Sequence, residues 1–356
     1  MATDTLDIRI SKAKTSCLPE TDYSNLVFGQ TFSDHMLVAD YANGQWQNFE
    51  ILPYGEIKMS PAISALHYGQ AFFEGLKAYK LADGRISIFR PDKNAERFNK
   101  SAERLCMPQL PEDLFVQSIA ALVEADQQWI PEQKNHALYI RPFMFATEAT
   151  LGVRPSSTYK FCVLTCPVGP YFSKYLKVKV ETEYSRASDG GFGFAKAAGN
   201  YAGSLLPAKK ALEEGFDQII WTDSREHAYV EELGAANIVF IIDGKLVTPS
   251  TRDTILKGVT RDTILQIARS WNMPVEERRV AVTEVLDGIK SGKLTEAFGV
   301  GTAATITSIA EIGFQDEIYA LPDPSKGEYS GKLRKALDDI KYGRIPDINN
   351  WNYIVS

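Results

Sequence analysis

The stretch Gly190-Gly191-Phe192-Gly193-Phe194-Ala195-Lys196-Ala197-Ala198-Gly199-Asn200-Tyr201-Ala202-Gly203 sets one lysine among residues that are nearly all small or aromatic. Small neighbours let a flat ligand lie against backbone, and an apolar setting disfavours the ammonium over the nucleophilic amine. Those are the needs of a lysine that forms a Schiff base with an aldehyde. On composition alone, an ordinary lysine in a Gly-rich surface loop fits the stretch as well. Downstream, the run YVEELGAANIVF places Glu231 and Glu232 directly before an apolar strand. Successive strand residues face opposite sides, so one carboxylate can point outward and the other into a pocket. A buried carboxylate needs a cationic partner, and a protonated ring nitrogen would serve. A solvated acidic pair at a strand edge is the plainer alternative.

Two further segments offer backbone N–H groups to an anion. Lys257-Gly258-Val259-Thr260-Arg261-Asp262 leads into a helix, with a Gly before the helix start and a Thr near its N-cap. Phe298-Gly299-Val300-Gly301-Thr302-Ala303-Ala304-Thr305 is a small-residue turn rich in N–H donors and hydroxyls. Either one alone is a common turn. A lysine for an aldehyde, a carboxylate for a pyridine nitrogen and two turns for a phosphate together describe pyridoxal 5′-phosphate.

The elements that must position these groups follow from pattern. The 356 residues suit two domains, with 44% hydrophobic and 24% charged residues in the usual globular range. Polar residues 1–25 read as a loose arm. Turn signals between Leu26 and Ile88 suggest strands and hairpins, Pro91–Leu105 and Asp113–Trp129 suggest helices, and Ala137–Pro142 and Tyr159–Pro167 suggest strands. A Pro/Gly cluster at 167–170 marks a junction. The expected division is a small domain at 1–167, a linker at 168–174 and a larger domain at 175–356. In the latter, strands are expected at Leu176–Tyr184, Asp217–Thr222, Ala228–Ile242 and Lys245–Val247. Helices are expected at Ala202–Glu214, Thr260–Trp271 and Ser330–Lys341. Without a regular βαβ rhythm the class is α+β. The hexapeptide Thr-Arg-Asp-Thr-Ile-Leu occurs at 251–256 and 260–265, a local echo and not a repeat architecture.

Composition excludes more than it identifies. With 39 Lys+Arg against 45 Asp+Glu, the net charge of −6 gives little attraction to nucleic acid or anionic membrane. Four His and four Cys show no zinc spacing and no redox C-x-x-C, so no metal is expected. The thiols read as reduced, three or all four of them buried. The first residues lack a signal-peptide core and no charge-free stretch reaches 18 residues, so the expected setting is the cytoplasm.

Eight blocks carry a family resemblance: LVFGQTFSDHML, ALHYGQAFFEGLKAY, FRPDKNAERFNKSAERLCMP, YIRPFMFATEATLGV, GGFGFAKAAGNYAGSLLPA, EELGAANI, TPSTRDTILKGVTRDTIL and FGVGTAATITSI. In this order they resemble the branched-chain amino acid aminotransferases, pyridoxal-phosphate enzymes of fold type IV, from Leu26 to near the C-terminus. The resemblance implies a small α/β domain, a larger domain around a β pseudo-barrel, and a homodimer with active sites near the subunit boundary. It implies that Lys196 links to the cofactor and shuttles the proton, that Glu232 holds the pyridinium and that Tyr201 bonds the phenolic oxygen. Arg97, the N–H groups of Val259 and Thr260 and the hydroxyl of Thr302 would hold the phosphate. The N–H groups of Thr302 and Ala303 would take the substrate carboxylate. Phe28, Tyr68, Phe73, Tyr139 and Val153 would line the side-chain pocket, with Arg141 near its rim. The implied reaction exchanges the amino group of leucine, isoleucine or valine with 2-oxoglutarate. Some eukaryotic members carry a C-x-x-C after the Gly-Thr-Ala turn; Ala303–Thr307 holds no thiol here. The alternatives are a D-amino acid aminotransferase, an aminodeoxychorismate lyase, or a pyridoxal-phosphate-holding regulator without turnover.

Overall fold

The computed structural model describes residues 6–172 and 174–355. Residues 1–5 of the polar arm, Ser173 of the linker and Ser356 lie outside the described residues. The chain divides into two compact units. The first holds the residues up to Tyr171, Lys196–Ala198 and the chain from Ile340 onward; the second holds Phe172–Ala195 and Gly199–Asp339.

In the first unit a nine-stranded sheet runs in the order Arg9–Ile10, β2 (Gln45–Pro53), β1 (His35–Ala42), β7 (Tyr159–Val168), β6 (Ala137–Ala146), β4 (Leu76–Lys80), β5 (Ile86–Phe89) and Asn352–Ile354. A short strand, β3 (Ala71–Phe73), pairs with β6. Helices α1 (Pro91–Arg104) and α2 (Glu112–Ala125) follow β5 and pack with the sheet in one core. Pro91 at the first position presets the helical φ of α1. On α2, Phe115, Ile119 and Leu122 recur at helical spacing and are fully buried. Phe98 of α1 meets Phe72, Phe115 and Phe161 at ring distances of 4.5, 5.0 and 5.5 Å. Each such ring contributes about 1.5–3 kcal/mol by burial. Strand alternation then decides the other face. Leu138 and Ile140 of β6 point into the core, so Tyr139 and Arg141 share the opposite side. Phe72 and Phe73 of β3 divide in the same way, Phe72 being buried in the core.

The sequence places 175–356 in one domain, and the chain instead returns twice to the first unit. The Phe73 N–H donates to Lys196 O at 3.2 Å and Ala197 bridges Phe72. Asn352–Ile354 adds a strand to β5. The polar arm is held as well: Arg9–Ile10 pairs with β2, and Asp34 accepts from Ser16 Oγ and the Cys17 N–H.

The second unit has a ten-stranded sheet. Its order is Val275–Arg278, β12 (Lys245–Pro249), β11 (Asn237–Ile242), β13 (Leu294–Gly301), β14 (Thr305–Phe314), β8 (Leu176–Val180), β9 (Gln218–Thr222), β10 (Tyr229–Leu233) and Val280–Ala281, with Glu317–Ala320 beside β14. Its helices include α3 (Leu205–Glu213), α4 (Val259–Ser270) and α5 (Val282–Ser291), and the expected helix Ser330–Lys341 is present as Glu328–Lys341. The class is α+β. The single strand expected over Ala228–Ile242 is two strands, because Gly234 turns the chain at φ +51°. A Cβ at Gly234 would also stand 2.0 Å from Gln218 Oε1. The expected helix Ala202–Glu214 is likewise two pieces, Ala198–Ala202 and α3. Among the described residues no helix is long and apolar enough to cross a membrane.

Two cysteines are buried and two are exposed, against an expectation of at least three buried. Cys162 and Cys166 face packed strands, and burial pushes their thiols up to about 12 and about 11. Cys17 and Cys106 sit in segments with open surroundings. An aromatic disulfide reagent at pH 8 should therefore titrate two thiols rapidly in the native protein and four after denaturation. Four rapid thiols in the native protein would contradict this packing.

Candidate active site

In the first unit the sequence-predicted residues converge on Lys196. Its backbone is fixed from two sides: Lys196 O accepts from the Phe73 N–H, and its N–H donates to Ser101 Oγ at 3.0 Å. Ser101 Oγ in turn donates to Arg97 O at 3.1 Å, within the buried face of α1. The Lys196 ammonium nitrogen lies 4.7 Å from the centroid of the Phe73 ring. Arg141 lies 4.5 Å from the same centroid and donates from Nη2 to the Tyr139 hydroxyl at 3.0 Å. Phe28 packs edge-on against Tyr139 at 4.9 Å and against Tyr171 at 5.2 Å. Phe28, Phe73, Tyr139, Arg141 and Lys196 thus form one aromatic cluster holding two cations. Arg141 Nε is buried without an acceptor, a donor suited to an anionic group within that cluster.

Gly75 makes the cluster possible. A Cβ there would stand 2.2 Å from the Tyr139 hydroxyl oxygen, so only glycine lets that ring lie against the chain.

Arg97 of α1 is 8% exposed and engages a residue that the sequence analysis passed over. Its Nε and Nη2 donate to Glu74 Oε1 and Oε2 at 2.6 and 2.8 Å. Glu74 is fully buried. Burial pushes its carboxyl up, but the charge and hydrogen bonds of Arg97, the Lys196 ammonium and Asn94 outweigh it, so Glu74 sits below the usual carboxylate range. The i, i+3, i+7 spacing of Asn94, Arg97 and Ser101 was the available signal, since it puts three polar residues on one face of α1.

Tyr68 and Val153 stand apart from this cluster. Tyr68 is 46% exposed and donates to Leu151 O at 2.5 Å; Val153 is 83% exposed, beside an exposed Leu151. Together with Leu151 they are exposed apolar surface in the single chain.

The second unit gathers the other predicted residues. Both glutamates of β10 are buried, Glu231 at 8% and Glu232 at 3% exposure, so neither is a solvated edge residue. Glu232 Oε1 accepts from Asn237 Nδ2 at 3.1 Å and from the Leu256 N–H at 2.9 Å. Its Oε2 pairs with Arg186 Nε at 2.9 Å. Arg186 supplies a cationic partner that the sequence reading left to a ring nitrogen alone. Its other nitrogens donate to Thr254 O and Gly193 O at 2.8 and 3.1 Å, tying the glycine loop before Lys196 to the 251–256 loop. Glu231, whose carboxyl burial and the Asp223 charge push up, lines a separate polar cleft of about 170 Å³ with Asp223, Arg252 and Arg279.

Tyr201 lines a cavity of about 100 Å³ with Arg186, Gln218, Trp221 and Gly234. Val259 and Thr260 open helix α4, whose N-terminus carries no side-chain cap and therefore offers its first N–H groups to an anion. Thr302 and Ala303 occupy the tight turn between β13 and β14, closed by the pair Gly301↔Thr305. Asn237 pairs with Val300 across β11 and β13 and bonds Glu232, so one side chain links the acidic position to the strand leading into that turn. Asn237 was missed in the sequence because it lies inside the apolar run. Taken unit by unit, the groups are of the types a phosphorylated pyridine aldehyde needs: in the first an arginine and a lysine held by its backbone, in the second an uncapped helix start and a buried carboxylate.

Comparison with known proteins agrees. The family model described as amino-transferase class IV matches residues 71–312. The chain is 45% identical over 348 residues to branched-chain-amino-acid transaminase 1 of Bacillus subtilis (strain 168), which covers 96% of this chain and 98% of that protein. The branched-chain aminotransferase of the archaeon Thermoproteus uzoniensis, solved with norvaline, is similar at a TM-score of 0.75 and 26% identity, over 90% of this chain and 100% of that one. That of Thermobaculum terrenum in its PLP form reaches a TM-score of 0.73 at 25% identity, over 92% of this chain and 100% of that one. With a family model matched over more than half of its length and a relative this similar end to end, the chain belongs to the class IV aminotransferase family.

Proposed function

We propose that this protein is a pyridoxal 5′-phosphate-dependent aminotransferase that exchanges the amino groups of L-leucine, L-isoleucine and L-valine with 2-oxoglutarate. The observation that carries this reading is the placing of Lys196 on the Phe73 ring, with Arg141 on the same ring and Tyr139 and Phe28 beside it. An apolar aromatic lining suits a branched side chain, at roughly 0.8 kcal/mol per buried methylene, and separates leucine, isoleucine and valine poorly. One cation within that lining lets the same pocket accept the side-chain carboxylate of glutamate.

When bound, the cofactor supplies an aldehyde for the amino group and a ring that accepts the electrons left at Cα. The rest belongs to this chain. Lys196 would carry the cofactor and would serve as general base and acid for the proton at the substrate Cα. Glu232, oriented by Asn237, Leu256 and Arg186, keeps the ring nitrogen protonated. Tyr201 bonds the phenolic oxygen. Arg97, the N–H groups of Val259 and Thr260 and the Thr302 hydroxyl hold the phosphate, and the N–H groups of Thr302 and Ala303 orient the substrate carboxylate. Phe28, Phe73 and Tyr139 line the side-chain pocket.

The protein acts in the cytoplasm as a homodimer on small molecules, without nucleic acid or membrane. The exposed loop of Leu151 and Val153, with Tyr68 bonded to it, supports the dimer: such apolar surface is covered when a second copy packs there. Tyr68 and Val153 then line a pocket only in the assembled pair. Sedimentation should give about twice the 39.6 kDa chain mass, and a monomer with full activity would contradict this arrangement.

The loaded protein should be yellow and lose its visible band on addition of L-leucine but not D-alanine. Lys196→Ala should lower leucine transamination by roughly 10³-fold or more, measured by 2-oxoglutarate-dependent glutamate formation. A band that leucine leaves unchanged would favour a regulator without turnover. Arg141→Met should cut kcat/KM for glutamate about 10–100-fold relative to leucine, the worth of one charge-assisted hydrogen bond. An unchanged glutamate-to-leucine ratio would remove Arg141 from that role.

A further inference from the structure

We infer that Glu74 is a positioning residue for the reaction, fixing the Arg97 guanidinium and supplying the counter-charge beside Lys196. The inference rests on the reading of Lys196 as the cofactor lysine. Glu74 is fully buried and its two oxygens receive four donors. Arg97 Nε lies 2.6 Å from Oε1; Arg97 Nη2, Asn94 Nδ2 and the Gly75 N–H lie 2.8, 2.8 and 3.0 Å from Oε2. Only a carboxylate accepts a guanidinium fork and two further donors, which a glutamine amide cannot do.

The backbone makes the same connection. The Glu74 N–H donates to Pro142 O at 2.7 Å, and the preceding residue, Phe73, bonds Lys196 O and carries the ring under its ammonium. On the helix side, Arg97 O accepts from Ser101 Oγ, which accepts the Lys196 N–H. Arg97 and Lys196 are therefore held to one frame, with Glu74 paired to Arg97. Among the causes that hold the Glu74 carboxyl below the usual carboxylate range is the charge of Lys196, after the charge and hydrogen bond of Arg97. β6 adds Arg141 and Tyr139 and β4 adds Lys77, whose backbone pairs with Tyr139; the remaining acid of the middle of α1, Glu96, is paired with Lys93 and Lys100. Arg141 and Lys77 are cations, and Glu74 is a buried anion near them.

A positive charge on the lysine nitrogen is favoured by Glu74 whether or not that nitrogen is bonded to the cofactor. Removing the anion should shift the pH at which the visible band of the loaded protein titrates. With Glu74→Gln the midpoint should fall by about one pH unit, and cofactor should dissociate roughly tenfold faster as Arg97 loses its fork. Glu74→Asp keeps the charge but withdraws it by one methylene, so both effects should appear in the same direction and be smaller. Circular dichroism checks folding; if Glu74→Gln does not fold, Glu74→Asp decides alone. A lowered melting temperature with an unmoved midpoint in either variant would reduce Glu74 to a packing residue and overturn the proposal. So would an aspartate variant matching wild type in both midpoint and cofactor release. Wild-type protein that forms no visible band with pyridoxal 5′-phosphate would overturn the underlying reading of Lys196. A normal wild-type band with an unmoved Glu74→Gln midpoint would overturn the role of Glu74 alone.

Discussion

Everything in the first unit that concerns chemistry depends on how Lys196 is held. Its carbonyl and its N–H are both spent on that unit, one on β3 and the other on Ser101 of α1. A lysine side chain has four rotatable bonds and loses up to about 2 kcal/mol of rotamer freedom when it is ordered. Pinning its backbone removes the other source of uncertainty in the position of the nitrogen. The three residues Lys196–Ala198 belong to the first unit, while the chain on either side belongs to the second.

The buried charges follow from the same requirement. Ionised groups in apolar surroundings are costly unless paired. Here they occur as pairs: Glu74 with Arg97, and Glu232 with Arg186. Truncating one member of such a pair costs about 3–5 kcal/mol, because it strands the other. Each pair also places its acid. Glu74 is fixed by a guanidinium fork and by Asn94, and Glu232 by Arg186, Asn237 and the Leu256 N–H.

Some of this was legible from residue pattern. The isolated lysine, the acidic pair and the Gly-Thr turns pointed to a pyridine aldehyde phosphate before any fold was known, and the helix over Pro91–Leu105 differs from α1 by one residue. Less legible were features decided by distant partners. The hexapeptide Thr-Arg-Asp-Thr-Ile-Leu is a loop at 251–256, where the Leu256 N–H bonds Glu232, and the first turns of α4 at 260–265. Identical residues take both conformations, so their own propensity does not choose; the carboxylate of Glu232 and the core behind α4 do. Glu74 was hidden because a single acid in an apolar run has no periodicity to mark it, and its partner lies 23 residues away. Arg186 stands in a polar segment far from its partner Glu232, and Asn237 lies inside an apolar run. The edge strands Arg9–Ile10 and Asn352–Ile354 carry too few residues for an alternation to register.

The proposed function requires that one amine, that of Lys196, bonds the cofactor. It is tested most directly by loading the protein with pyridoxal 5′-phosphate, reducing with borohydride, digesting, and locating the phosphopyridoxyl group by peptide mass spectrometry. The account predicts one modified peptide, with the group on Lys196 at one per chain. Modification of another lysine in its place, or no stable modification after the visible band has been reduced, would contradict it.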